Sequence, residues 1–206
     1  MNKPLVILTQ ITYLLLPNQA PAKDQPIEIY YHERPYYYFI ENNKLAGIVG
    51  TKAQFILDAS GISYRLLPLP AEQQLAVIKN SNNKVCAIGW FRNKQREQFS
   101  KYSIPIYQDL PAVVITTKFQ TKVLKKRTID ELLSDKQFII GIKSGYSYGD
   151  FLDKKLAQHT PKAVFTEKDS LGMLSMLKNN QINYFISAYE EAYNLIEDNH
   201  DFVIHN

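Results

Sequence analysis

Arg96 is the residue around which a binding chemistry can be built first, because a planar guanidinium grips a carboxylate through two parallel hydrogen bonds. It closes the run Gly89-Trp90-Phe91-Arg92-Asn93-Lys94-Gln95-Arg96, where Trp90 and Phe91 offer stacking faces beside the charge. The second candidate is Gly141 to Gly149, a β-run that feeds a helix through a glycine-bounded turn. Gly145, Tyr146 and Ser147 would present unpaired backbone N–H groups to an anion at the helix start, and the Ser147 hydroxyl would add a donor. An ordinary strand-to-helix turn capped by Ser147 uses the same residues. A third feature is the run Tyr36-Tyr37-Tyr38-Phe39 after Pro35. In an extended loop Tyr36 and Tyr38 face one way and Tyr37 the other, so one face can line a cleft while the other packs.

Gly145-Tyr146-Ser147-Tyr148-Gly149 also matches the G-x-S-x-G elbow of serine hydrolases, in the strand–turn–helix setting that chemistry needs. Asp198 or Asp201 with His200 or His205 would complete the order Ser–acid–His. Those partners crowd the end of the chain, however, and no His-Gly-Gly oxyanion segment precedes the serine, so no catalytic residue is assigned. His32, His159, His200 and His205 lack metal-ligand spacing, so no metal or other cofactor is expected. A single cysteine, Cys86, rules out an internal disulfide framework, and its place in a β-run predicts packing rather than reactivity.

The elements that would position these residues alternate. Strands are predicted at 27–31, 63–67, 85–89, 112–117, 138–142, 163–165, 184–187 and 202–204. Between them fall a helix capped by Thr51 and stopped by Gly61, one opened by Pro70, and one after the capping-box spacing Thr128-Ile129-Asp130-Glu131. Further helices are predicted over 150–158, from a Ser170 cap through Leu171, Leu174 and Leu177, and over 190–196. Such alternation means right-handed βαβ units, and therefore an α/β protein with mixed, mainly parallel sheets. With 45% apolar residues the 206-residue chain can bury a core, and a net charge of +4 spread along it is a poor footprint for nucleic acid. Residues 1–22 combine Lys3, a short apolar run and the exit Ala20-Pro21-Ala22, which predicts a signal peptide cleaved near Ala22 and a periplasmic protein.

The order of these pieces resembles the bacterial extracellular solute-binding proteins of family 3, which have the type II periplasmic binding fold. Arg34-Pro35-Tyr36 is similar to the family's Pro-Phe ligand loop, and Asn43 to Ile48 to its Gly-x-Leu-x-Gly-Phe turn. Arg96, Tyr102-Ser103 and Pro105-Ile106-Tyr107 resemble its Arg…Phe-Ser-x-Pro-Tyr segment. Ile129 to Leu132 and Gly141 to Ser147 resemble its crossing into the second lobe.

The resemblance implies a two-lobed clamshell closing on a small solute and delivering it to an inner-membrane ABC permease, or the same fold used as an orphan or sensory module. It implies lobe 1 over 23–108, lobe 2 over 109–188, and a return to lobe 1 over 189–206 that leaves that lobe short. A monomer is expected. Arg96, Tyr146 and Ser147 would hold an anionic or carboxylate-bearing group, with Tyr36, Tyr38 and Trp90 as stacking walls. The acidic residue that amino-acid-binding members place against the ligand ammonium falls on Ala188 here, and Glu190 or Glu191 would reach that place only with a shifted loop. The family's threonine three residues before the arginine is Asn93. A standard α-amino acid is therefore not the expected ligand.

Overall fold

In the computed structural model, which describes residues 25–205, β1 (Ile27–Tyr31) turns Ile29 and Tyr31 into a core while Glu28 and Tyr30 stay partly exposed. It runs parallel between β4 (Tyr64–Pro68) and β5 (Val85–Ala87), giving a three-stranded sheet ordered β4-β1-β5. Helices α1 (Gly50–Ser60) and α2 (Ala71–Asn80) make the crossovers. Gly61 ends α1 in the left-handed region, as expected, but the helix begins after Val49 rather than at Thr51. The predicted signal peptide lies outside the described residues, among which no helix is long and apolar enough to cross a membrane. Cys86 sits on an edge strand and is exposed, against the expected burial.

Between β1 and α1 the chain forms a hairpin of β2 (Phe39–Glu41) and β3 (Lys44–Ala46), turned by Asn42 and Asn43, both at positive φ. Gly47, at φ +96°, then lets the backbone pass against the tyrosine loop, and a Cβ there would stand 2.7 Å from the Tyr37 carbonyl oxygen. Gly47→Ala is expected to cost at least about 1–2 kcal/mol of stability from the backbone angle alone, read as a lower urea midpoint.

The second sheet holds β6 (Val113–Thr117), β7 (Ile139–Lys143), β8 (Lys162–Thr166), β9 (Tyr184–Ser187) and β10 (Phe202–His205) in the order β10-β6-β9-β7-β8. β7 is parallel to both neighbours, whereas β6 is antiparallel to β9 and β10. α3 (Thr121–Leu124) and α4 (Ile129–Ser134) lead into β7, followed by α5 (Asp150–His159), α6 (Ser170–Lys178) and α7 (Tyr189–Ile196). One face packs on Met173, Leu177, Ala192 and Leu195, and the other on Leu132, Leu133, Phe138 and Tyr184. The first sheet keeps a separate core around Ile29, Tyr37, Tyr38 and Leu45, so there are two lobes.

Two expectations change here. The stretch expected to return to the first lobe does not do so over its described residues, 189–205: Phe202 and its neighbours add β10 to the edge of the second sheet, and α7 buries Ala192 and Leu195 in that sheet's core. The first turn of α7 faces the other lobe, Glu190 and Glu191 meeting Tyr37 and Arg34. Thr128 does cap α4, accepting from the Glu131 N–H at 3.2 Å, but α6 is capped by Asp169 rather than Ser170. That frees the Ser170 hydroxyl for a partner elsewhere.

Candidate functional site

The carboxyl ends of β1, β5, β7 and β9 converge, and open α/β sheets place ligands in that position. A cavity of about 240 Å³ lies there, with walls drawn from both lobes. Arg96, Trp90 and Phe91 line it from the first lobe, and Tyr146 and Ser147 from the second, so these five expected residues meet in one space. Apolar surface comes also from Leu110, Met173, Phe185 and Ile186.

Arg96 opens a short 3-10 turn (Arg96–Gln98) whose entry is pinned by Asn93, its side-chain oxygen accepting the Arg96 N–H at 2.9 Å. The side chain is buried. Its guanidinium lies 4.7 Å over the Trp90 ring and donates to the carbonyls of Phe91 (2.9 Å) and Gly145 (3.0 Å). The Gly145 contact crosses from one lobe to the other. Gly145 thus enters the site through its carbonyl, not its N–H as expected, and does not itself line the cavity. A guanidinium has five N–H donors; these two carbonyls take two and the Tyr102 hydroxyl stands beside a third, so donors remain for a ligand.

The turn before α5 is partly filled from within. Asp153 accepts the Tyr148 N–H at 2.8 Å and the Ser147 hydroxyl at 2.5 Å, so that hydroxyl is committed to an internal cap. The Ser147 N–H has no protein partner among the described residues, and it is the part of the expected anion seat that stays available. No histidine bonds to the Ser147 hydroxyl: His159 pairs with Asp130, His205 with the Lys126 carbonyl, and His32 with tyrosines. Among the described residues Ser147 has no histidine partner, so the Ser–His geometry of a hydrolase is not formed.

Beyond Arg96, the sequence did not assign the cavity's charged groups: Arg34, Asp109 and Lys143 were not expected as site residues, and Glu191 only if a loop shifted. Arg34 and Glu191 form a buried pair across the lobes, Nη2 at 2.6 Å and Nε at 3.0 Å from the same oxygen. Ser170 and Ser187 donate to the same carboxylate at 2.7 and 3.2 Å. Burial pushes the Glu191 carboxyl up, but Arg34, Ser170 and the more distant Lys143 outweigh it and hold the group below its ordinary value. Lys143 faces the Tyr146 ring at 4.7 Å, with burial lowering its ammonium to about 8. Asp109 accepts the Tyr37 hydroxyl at 2.7 Å, and burial raises its carboxyl. The signal for Glu191 was helical spacing: Ala188 is the N-cap of α7, and a residue three positions on returns to the same side.

The same fold recurs in solved structures. An ancestral arginine-binding protein bound to arginine superposes with a TM-score of 0.68 at 16% identity, over 88% of this chain and 78% of that one. A periplasmic binding protein of Salmonella typhimurium with high arginine specificity gives 0.67 at 20% identity, over 87% and 76%. An amino acid ABC transporter substrate-binding protein of Streptococcus pneumoniae, bound to L-arginine, gives 0.66 at 18%, over 87% and 74%. This chain has the two-lobed periplasmic-binding-protein fold. No family model matches it, and no curated protein does.

Within this clamshell fold two of the expected stacking walls lie elsewhere. The tyrosine loop is not extended: Tyr36 takes φ +69° and starts a tight turn closed by the Arg34–Tyr38 bridge. Tyr36 therefore points out, 41% exposed, while Tyr37 and Tyr38 are both buried. Tyr38 lies beneath the cavity, its ring so close under Gly89 that a Cβ there would meet it at 2.5 Å. Its hydroxyl sits 3.1 Å from His32 Nε2, and His32 is the group that reaches the cavity. Trp90 keeps its expected place, its indole N–H donating to Gln74 at 3.0 Å.

Proposed function

We propose that this chain is a periplasmic solute-binding protein that takes a small carboxylate-bearing solute between its lobes, without transforming it, and passes it to an ABC permease. The observation that carries this reading is Arg96: a first-lobe guanidinium, bonded to the Gly145 turn of the second lobe and facing a cavity both lobes build. A solute carboxylate would take the remaining guanidinium donors and the Ser147 N–H together. Only the closed clamshell offers both, so binding and closure are coupled. Trp90 and Phe91 would cover the apolar body. The ligands named for the fold's neighbours, arginine and glutamine, share a carboxylate.

Arg96→Ala removes a charge-assisted contact worth about 1.5–3 kcal/mol, so affinity should fall about 10- to 100-fold. Titration calorimetry of both proteins against a panel of small carboxylates checks it. Equal affinities would reject Arg96 as the anion clamp. Native mass spectrometry of protein purified from its own cells would report the mass of any retained solute.

A further inference from the structure

We infer that the solute is an organic acid without a cationic group, so that α-amino acids, arginine included, are rejected. This rests on the solute-binding reading above and narrows it. The deciding feature is that this chain supplies its own cation to the acidic group of the cavity.

Glu191 is held by four donors of this chain. Its Oε2 accepts from Arg34 Nε and Nη2 and from Ser187, and its Oε1 accepts from Ser170. Its charge is thus matched by Arg34, and one lone-pair site is left, on Oε1. Asp109, the second acid on the wall, accepts the Tyr37 hydroxyl, and the Arg34 guanidinium lies only 4.0 Å above that same Tyr37 ring. Arg34 thus sets its positive charge between both acids. On the other side Arg96 and Lys143 flank the Gly145–Tyr146 turn, and neither is in an ion pair among the described residues. Three cations therefore face two carboxylates around the space. His32 adds no charge at neutral pH, since burial and the neighbouring Lys143 and Arg34 lower it to about 4.

A carboxylate entering this space neutralises the excess charge beside Arg96 and Lys143. An ammonium or guanidinium carried in with it would be desolvated next to Arg34, whose charge already answers Glu191 and acts on Asp109, and a buried charge without a counter-charge of its own is strongly disfavoured.

The test is calorimetry at pH 7 on the full protein with matched probes: 3-phenylpropanoate against L-phenylalanine, 4-methylpentanoate against L-leucine, glutarate against L-glutamate, and L-arginine alone. The expected result is that at least one acid binds, its amino acid binds at least about tenfold more weakly, and L-arginine gives no heat. Arg34→Met, which uncovers Glu191, should narrow the discrimination; should that variant not fold, the wild-type pairs decide. An amino acid that binds as tightly as its deaminated partner, or tight binding of L-arginine, overturns this inference and leaves the solute-binding reading standing. Silence from every probe, with no solute retained in native mass spectrometry, overturns both.

Discussion

Replacing Glu191 by alanine is expected to lower the unfolding free energy by about 3–5 kcal/mol, because it leaves a buried guanidinium without its counter-charge. The side chains of Arg34 and Glu191 are 15% and 4% exposed, so water cannot take over what the partner supplied. Ser170 and Ser187 also lose their acceptor, which adds to the loss. Urea unfolding of the two proteins measures the difference; a loss under about 1 kcal/mol, the range of exposed pairs, would show that the bridge acts as a surface one. Arg34→Met combined with Glu191→Leu should recover most of the loss, since removing both charges leaves nothing unpaired. The pH signature has a definite sign. The Glu191 carboxyl is held below its ordinary value of 4.5, so its contribution is complete above that pH and disappears as pH falls through the folded-state value beneath it. Glu191→Ala should lack that acid component.

How far this bridge was legible in the sequence follows from what kind of information each part needs. Strands and helices announced themselves by local pattern: Tyr184–Ser187 is a run of apolar and small residues between turns, and Gly61 has the freedom that a left-handed helix end requires. Arg96, Trp90 and the Gly145–Ser147 turn were found because each follows a strand end, and strand ends of parallel sheets gather in space. Arg34 and Glu191 stand 157 positions apart, and their pairing is set by how α7 enters from β9, which no short window contains. Tyr36 was misplaced for a local reason: a tyrosine at φ +69° is uncommon enough that an extended loop was the natural expectation. The last strand was misplaced for a topological one. A β-run such as Phe202–His205 carries no mark of which sheet edge it will join, and here the open edge was that of β6.

The stability of this fold should also fall by about 3 kcal/mol between pH 7 and pH 4, and His32→Gln should remove that fall. The cause can be traced through one chain of hydrogen bonds. An indole N–H only donates, so the Gln74 group facing Trp90 at 3.0 Å must be its oxygen. The Gln74 amide nitrogen then donates to the Leu69 carbonyl at 2.6 Å and to His32 Nδ1 at 3.3 Å. Nδ1 must therefore be bare, and the proton of the neutral ring sits on Nε2, facing the hydroxyls of Tyr38 and Tyr146. Protonation would set a second N–H against the Gln74 amide, in a buried place that Lys143 and Arg34 already make positive; Glu191 opposes this only in part. His32 accordingly titrates at about 4 instead of its ordinary 6.5. The unfolded chain takes up the proton first, so stability is complete above about 6.5, declines as pH falls, and levels off near 4. Each pH step between those values costs about 1.36 kcal/mol, and the window lies above the one in which Glu191 acts. Urea unfolding at pH 7, 5.5 and 4.5 resolves it. Parallel slopes for the wild type and His32→Gln would rule out His32 as the source and place the acid sensitivity on the carboxylates.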